Sequence, residues 1–320
     1  MTKTAFEPRG VIPACLMPFD ANLAVDEHTW TAHLEDIASV KGIAGIAVNG
    51  HAAEVHALTV AEQERAVVVA REVLGPRKVP VIAGVYTESS LAAGRMAAYA
   101  HKHGAEGLLV FPPSFMTLGG HLRPEMIEIH LKHITDNSDL PIILFQFPLA
   151  SNLSYPLATL LGLCRRFPTI RAVKDQIGDG NLHEQHIREL HALERPVNVL
   201  TTHSSWLLGS LVLGCDGLLS GAGSVIADLQ VALFRAVKAN DLAAARAIND
   251  RIYPTVRAFY DAPLVDMHNR MKEALVILGR MKAAHVRPPL VKPTAQEIAK
   301  IGKLMQAAGL TAATVYRNAA

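Results

Sequence analysis

Apolar runs recur at nearly regular intervals along the first three quarters of the chain, and this rhythm restricts the fold more than any other feature. Eight such runs, each bounded by glycine, proline or a polar turn, begin at Gly10, Ile43, Val79, Gly107, Pro141, Ile170, Val197 and Asp216. The segments between them are amphipathic, and one opens with the capping box Thr59–Glu62. The sequence therefore predicts eight β–α units in succession.

Nearly continuous apolar strands such as 142–145 are typical of a parallel sheet that is covered on both faces. Eight β–α units close most simply into a barrel, so we predict an α/β fold of the (β/α)8 TIM-barrel class. A doubly wound open sheet is the alternative, although no G-x-G-x-x-G motif follows any strand. We predict a catalytic barrel over residues 1–240 and a helical extension over 241–320, with helices from Asp241 to His285 and from Thr294 to Gly309.

Composition excludes several classes of protein. The formal net charge of +2 is too small to indicate a nucleic-acid or anionic membrane partner. Three widely spaced cysteines form neither a disulfide framework nor a zinc motif. The chain starts without an apolar leader, and no 18-residue apolar run occurs, so we expect a cytoplasmic protein that has no membrane partner.

Lys174 ends the apolar run that begins at Ile170. A lysine whose stem crosses an apolar interior loses hydration of its charged form, so its pKa falls and the neutral amine can attack carbonyl groups. This position indicates Schiff-base chemistry. The alternative is a lysine that turns outward at the strand end and stays solvated.

Other polar or aromatic residues occupy the predicted carboxyl ends of strands, where the reactive groups of TIM barrels lie. They are Gly50 and His51 after strand two, Phe115 after strand four, Phe145 on strand five and His203 after strand seven. Any barrel has eight such ends, so position alone assigns them no role.

These segments resemble the class I aldolases and lyases that include dihydrodipicolinate synthase and N-acetylneuraminate lyase. The matching motifs, in order, are Gly50-His51-Ala52-Ala53-Glu54, Phe145-Gln146-Phe147-Pro148, Val173-Lys174-Asp175 and Gly217-Leu218-Leu219-Ser220. The resemblance covers nearly the whole chain. It implies that Lys174 forms an imine with a 2-oxo acid such as pyruvate, that no cofactor is needed, and that the protein is a homotetramer built from dimers.

The resemblance also implies a set of substrate contacts. The backbone N–H groups of Gly50, His51 and Ala52 are expected to hold the substrate carboxylate. Further contacts are expected from Phe115, Phe145, His203 and Leu219.

Three departures from the family pattern carry information. Phe145 stands where the family has a proton-transferring tyrosine, and His51 stands where it has a relay threonine. Ala150 stands where dihydrodipicolinate synthase has a carboxylate-binding arginine, so lysine biosynthesis is not expected. Gln146 resembles a residue of sugar-acid dehydratases, which favours dehydration. We predict that His51 replaces the lost acid–base group, because an imidazole exchanges protons near neutral pH.

A catalytic metal is not expected. His183 and His186, like His130 and His133, are spaced to present two ligands on one helix face. Both pairs fall on predicted outer helices, far from the strand ends and without a third ligand.

The sequence thus predicts a barrel lyase that cleaves, condenses or dehydrates a 2-oxo acid, either pyruvate or a 2-oxo-3-deoxy sugar acid, through Lys174. A degenerate barrel that binds such an acid without turnover is the first alternative, since the usual proton relay is missing. A metal-dependent aldolase is a weaker one.

Overall fold

The computed structural model describes residues 6–312, which form eight β–α units followed by three helices. The strands are Gly10–Pro13 (β1), Ile46–Val48 (β2), Val81–Val85 (β3), Gly107–Val110 (β4), Ile142–Gln146 (β5), Ile170–Asp175 (β6), Asn198–Thr201 (β7) and Gly217–Ser220 (β8). The predicted strand positions are confirmed. The largest offset is at β2, which was expected to begin at Ile43.

The strands form one parallel sheet in the order β1-β8-β7-β6-β5-β4-β3-β2. Two parallel bridges, Val11 to Ile43 and Ala14 to Ala47, join β1 to the β2 segment and close the sheet. The (β/α)8 barrel is therefore confirmed, and the open-sheet alternative is wrong. All eight carboxyl ends meet at one mouth.

A helix follows every strand. These helices are Glu27–Ala38 (α1), Val60–Leu74 (α2), Ser90–Lys102 (α3), Pro124–Thr135 (α4), Leu157–Arg166 (α5), Gly180–His191 (α6), Leu207–Val212 (α7) and Gly223–Lys238 (α8). The predicted capping box at α2 is present, because Thr59 Oγ1 accepts the Glu62 N–H at 3.2 Å and the Glu62 carboxylate accepts the Thr59 N–H at 2.8 Å.

The C-terminal extension contains Leu242–Phe259 (α9), Met267–Ile277 (α10) and Ala295–Ala307 (α11). The helical segment predicted from Asp241 to His285 is in fact divided between α9 and α10. Pro263 lies in the break, and a proline removes a helical N–H and disfavours helix in the residue before it. In the described part of the chain, no helix is long and apolar enough to cross a membrane.

The extension shares the hydrophobic core of the barrel. The buried core extends without interruption from β1 to the buried faces of α10 and α11. α9 packs against α8, the last helix of the barrel, and against α11, so it connects the extension to the barrel. The segment between α9 and α10 then crosses towards the mouth of the barrel, where it lines the cavity described below.

Candidate active site

Lys174 lies inside the barrel at the carboxyl end of β6. Its partner in the β5–β6 ladder is Phe145, and their neighbours Gln146 and Asp175 form the next pair. Side chains alternate between the two faces of a strand, so Phe145 and Lys174 point inward together. Lys174 is 7% exposed, and its Nζ lies 4.0 Å from the centre of the Phe145 ring. Burial lowers the pKa of the amine to about 7.

Lys174 lines a cavity of about 460 Å³ at the mouth of the barrel, a volume that includes the part open to solvent. Five residues predicted for the site are found there: Gly50, His51, Ala52, Phe145 and Lys174. The cavity therefore joins the predicted nucleophile to the loop that was expected to bind a carboxylate.

The loop after β2 presents backbone amides to this cavity. It forms a tight turn in which the Ala53 N–H bonds to the Gly50 carbonyl and the Glu54 N–H bonds to the His51 carbonyl, each at 3.0 Å. Within residues 6–312, the N–H groups of His51 and Ala52 have no acceptor. Two amides are thus left available to an anionic group.

His51 packs within an aromatic cluster. Its ring centre lies 4.8 Å from that of Phe111, 5.7 Å from Phe147 and 5.8 Å from Tyr86. Burial, reinforced by the nearby Lys174, lowers the pKa of His51 to about 3. The imidazole is therefore neutral at neutral pH, and it is a weaker base than an ordinary histidine.

Residues of the C-terminal extension hold the β2 loop in place. Glu54, the last residue of the turn, is fully buried and forms an ion pair with the equally buried Lys272 of α10. The Glu54 carboxylate also accepts the Arg287 N–H at 3.1 Å, and Lys272 donates to the His285 carbonyl at 2.8 Å. The position of the amides in the β2 loop thus depends on residues far away in the sequence.

Three predicted contacts are not in the cavity. Phe115 is 49% exposed on the loop after β4, where its N–H bonds to Glu88 at 3.0 Å. Leu219 is fully buried in β8 opposite Ile12 of β1, and it does not line the cavity. His203 turns away towards Trp206 and α6, and its neighbours Thr202 and Ser204 line the cavity instead.

Asp175 faces outward from β6 and meets a histidine pair that we had placed far from the strand ends. That expectation was wrong for His183 and His186, which are both buried and whose Nδ1 atoms lie 3.0 and 2.8 Å from Asp175 Oδ2. Burial alone would raise the pKa of Asp175, but these hydrogen bonds outweigh it and lower the pKa. The carboxylate can only accept, so both imidazoles donate to it.

Three side chains of this cluster are close enough together to be considered as metal ligands. The side-chain donor atoms of Asp175, His183 and His203 lie within 4.8 Å of one another. However, Asp175 is already satisfied by two imidazole N–H groups and by the Ile177 N–H at 2.8 Å. The hydrogen bonds therefore give the cluster a structural role: they hold the end of β6, the strand that carries Lys174.

Gln146 does not reach the cavity. It faces outward from β5, is fully buried, and makes two hydrogen bonds with the backbone of Tyr155, at 2.8 and 2.9 Å. It fixes the segment after β5. Because Gln146 does not line the cavity, its resemblance to a dehydratase residue no longer favours dehydration.

Sequence reasoning missed the contribution of the extension. Tyr260, Met267 and His268, which follow α9 or begin α10, all line the cavity with Lys174. Burial raises the pKa of the Tyr260 hydroxyl, and hydrogen bonding with Ser204, Ser220 and the Ala222 backbone limits the rise. Burial also lowers the pKa of His268 well below its usual value. The sequence offered one usable signal, Pro263, which marks where the chain must leave the helix.

The cavity has two unlike sides. Leu109 and Phe145 form an apolar side below β4 and β5, whereas Thr202, Ser204 and Tyr260 form a hydroxyl-rich side next to β7 and β8. Among the residues that line it in the described chain, Lys174 is the only lysine or arginine. A second strongly anionic group on a ligand would therefore lack a cationic partner here.

Comparison with known proteins identifies the family to which this chain belongs. The sequence model of the dihydrodipicolinate synthetase family matches residues 7–308. A 4-hydroxy-tetrahydrodipicolinate synthase of Hyphomonas neptunium is 32% identical over 94% of this chain and 98% of its own. The Escherichia coli protein named "Probable 2-dehydro-3-deoxy-D-pentonate aldolase YjhH" is 23% identical over 94% and 97%. The crystal structure of YagE from E. coli K12, solved in complex with pyruvate, superimposes with a TM-score of 0.86 at 24% identity, covering 95% and 99% of the two chains.

Proposed function

Because this chain belongs to the dihydrodipicolinate synthetase family and is a lyase of that family, we propose that Lys174 forms a Schiff base with a 2-oxo acid. The observation that carries the proposal is the buried Lys174 amine, whose pKa is lowered to about 7 inside the cavity. Near neutral pH a large fraction of this amine is uncharged and can attack a ketone. An exposed lysine would be almost wholly protonated.

The opposite side of the cavity supplies the second half of the binding site. The N–H groups of His51 and Ala52 would donate hydrogen bonds to the carboxylate of the 2-oxo acid, while its ketone carbon meets Lys174. The iminium that follows is an electron sink, and it stabilises negative charge at C3 of the substrate. This permits a carbon–carbon bond to C3 to break or form.

We favour aldol cleavage or condensation over dehydration. The residue that had favoured dehydration, Gln146, is engaged with Tyr155 and does not face the substrate. The relative from E. coli named as a pentonate aldolase supports the same choice. The hydroxyl-rich side of the cavity suits a 2-oxo-3-deoxy sugar acid, or pyruvate and a hydroxyaldehyde in the condensing direction.

For the proton at C3 we propose His51. Its ring packs 5.9 Å, centre to centre, from Phe145, on the β2 side of the imine. A pKa of about 3 keeps this imidazole unprotonated, so it is available as a base across the working pH range. The low pKa also limits its strength, which places the expected loss in His51→Ala near the lower end of the usual range, at about 10²-fold.

Mass spectrometry after borohydride reduction tests the imine. Pyruvate and borohydride together should add a covalent mass at Lys174, and the Lys174→Met variant should not be labelled. A panel of 4-hydroxy-2-oxo acids of four to six carbons, with released pyruvate measured by a coupled dehydrogenase, then tests turnover. Labelling elsewhere, or activity abolished by EDTA, would reject the proposal in favour of metal chemistry. Labelling of Lys174 without turnover of any acid would support the non-catalytic alternative.

We also propose that the protein works in the cytoplasm as a homotetramer built from dimers. An exposed apolar strip supports a subunit contact on the loops after β4 and β5, with Phe115, Leu118, Leu122 and Leu149 between 49% and 89% exposed. Placing Phe115 on this strip gives it a role between subunits, outside the cavity of its own chain. All three cysteines are buried thiols, as a reducing compartment allows.

A further inference from the structure

Aldol cleavage needs a group that removes the proton from the C4 hydroxyl of the substrate. On β5, Phe145 offers only ring carbon to the imine, 4.0 Å from the Lys174 amine. A hydrocarbon ring cannot accept or donate this proton. The group must therefore come from another element of the cavity.

The barrel geometry indicates where C4 lies. β2 and β6 stand on opposite sides of an eight-stranded barrel, so a 2-oxo acid that joins Lys174 and directs its carboxylate to the His51 and Ala52 amides spans the mouth. The remaining carbons of the substrate, from C4 onwards, can then extend towards β4 and β5 or towards β7 and β8. Leu109 and Phe145 occupy the first direction, so a hydroxylated carbon is better solvated in the second, among hydroxyl groups.

Four side chains with a transferable proton line the cavity on the side of β7 and β8, or belong to the extension next to that side. These are Thr202, Ser204, Tyr260 and His268. A phenol is far more acidic than the two aliphatic hydroxyls. Burial lowers the pKa of His268 well below its usual value, as it lowers that of His51. Tyr260 is the only phenol among the four, and it lines the cavity together with Ser204.

The two serines continue the hydrogen-bonded chain. Ser204 Oγ and Ser220 Oγ lie 2.8 Å apart. Hydrogen bonding with both serines limits the rise that burial causes in the pKa of Tyr260. Ser204 lines the same open cavity, so a proton that leaves Tyr260 has a path through a second hydroxyl to water. A neutral phenol can accept a proton only if its own proton moves on in this way.

We infer that Tyr260, supplied by the C-terminal extension, is the catalytic acid–base group for the C4 oxygen. This inference rests on the proposed aldol function. During cleavage the C4 hydroxyl gives its proton to Tyr260, the Tyr260 proton passes to Ser204, and the Ser204 proton passes to water in the mouth. The C4 oxygen becomes a carbonyl as the C3–C4 bond breaks, and that electron pair converts the iminium into an enamine. A proton then returns at C3 from water through His51, so that protons and electrons balance.

The inference separates two steps that can be measured independently. Exchange of the C3 hydrogens of pyruvate with deuterium, followed by NMR, needs the imine and a C3 base but involves no C4 oxygen. Cleavage of the 4-hydroxy-2-oxo acid that the wild type turns over best needs both. Tyr260→Phe should therefore keep borohydride labelling of Lys174 and keep C3 exchange, yet lose about 10²- to 10⁴-fold in kcat for cleavage.

Tyr155→Phe is the matched control. Tyr155 is also buried, its hydroxyl has no hydrogen-bond partner among residues 6–312, and it does not line the Lys174 cavity. This variant should retain all three activities. His51→Ala should show the opposite pattern to Tyr260→Phe, with exchange lost.

The results divide cleanly. Cleavage by Tyr260→Phe within about threefold of wild type would overturn the inference and leave the proposed function standing. An equal fall in labelling, exchange and cleavage would overturn it too, because the hydroxyl would then only hold the site together. Failure of the wild type to label at Lys174 would instead refute the proposed function, and the role of Tyr260 with it.

Discussion

The buried ion pair between Glu54 and Lys272 should be a major determinant of stability. Both side chains have no solvent exposure, and the pair joins the β2 loop to α10 across 218 positions of sequence. Removing one partner of a buried pair leaves the other charge without compensation, which typically costs about 3–5 kcal/mol. We therefore expect Lys272→Met, which keeps the length of the side chain but removes its charge, to be strongly destabilising.

The size of this cost can be converted to a melting temperature. An unfolding entropy of about 2.1 cal/mol/K per residue gives roughly 0.7 kcal/mol/K for a chain of 320 residues. A loss of about 3–5 kcal/mol should then lower the thermal midpoint by about 4–8 °C. Differential scanning calorimetry measures the shift directly.

A second variant shows whether the stranded charge is the cause. In Glu54→Gln combined with Lys272→Met, the glutamine carbonyl can still accept the Arg287 N–H, and no charge remains buried. Replacing both partners of a buried pair is often nearly neutral, so the double variant should recover at least half of the lost stability. Glutamine can adopt the left-handed backbone of residue 54, at φ 52°, as readily as glutamate.

An exposed pair provides the control. Lys132 and Asp136 are one turn apart on α4, with 2.7 Å between nitrogen and oxygen, but both side chains are more than half exposed. Lys132→Met should cost about 0.5 kcal/mol or less, under about 1 °C. The reasoning fails if Lys272→Met melts within about 1 °C of wild type, or if the double variant melts no higher than the single one.

Two further predictions concern the reaction. The initial rate of imine formation with pyruvate should rise with pH through about 7 and then level off, because the pKa of Lys174 is lowered to that value and only the neutral amine reacts. Stopped-flow trapping measures this rate, and a rate that still rises steeply between pH 8 and 10 would contradict a buried lysine. Condensation of pyruvate with aspartate semialdehyde should stay well below about 1 per second, since no arginine among residues 6–312 lines the cavity to hold the second carboxylate. Turnover at typical enzyme rates in a dihydrodipicolinate synthase assay would show that the missing arginine does not decide the substrate.

Much of the fold could be predicted from the sequence because its signals are local. Near-continuous apolar strands, glycine and proline boundaries and the capping box at Thr59 each act within a few residues, and the structure places β1 to β8 accordingly. Lys174 could also be predicted, because a charged residue at the end of an apolar strand has few structural explanations. The direction of a side chain was harder to predict. Gln146 and His203 lie at strand ends, as expected, but point away from the cavity.

The contacts of Glu54 with the extension could not be predicted, because they join residues more than 200 positions apart. Glu54 resembles any acidic loop residue until Lys272 and Arg287 are placed beneath it. The contact between His183 and Asp175 lies within the barrel and spans only eight positions, but it could not be predicted either, because the outward direction of Asp175 is not visible in the sequence. No local pattern marks these pairs, since each partner alone fits an ordinary solvated helix or turn.

Phe145 on β5 has no hydroxyl to exchange a proton with the substrate, whereas Tyr260 on the extension has one. A barrel that keeps Lys174 but has Phe145 beside it can form an imine, and it still needs a group that exchanges a proton with the C4 oxygen. The extension enters the mouth where Pro263 ends the helical course of α9, and there it places Tyr260 against Ser204 on the hydroxyl-rich side. The same extension holds the β2 loop through Lys272. Acid–base chemistry and carboxylate binding would then both depend on one helical layer outside the barrel, so a change in how α10 packs should alter kcat and the affinity for the 2-oxo acid together.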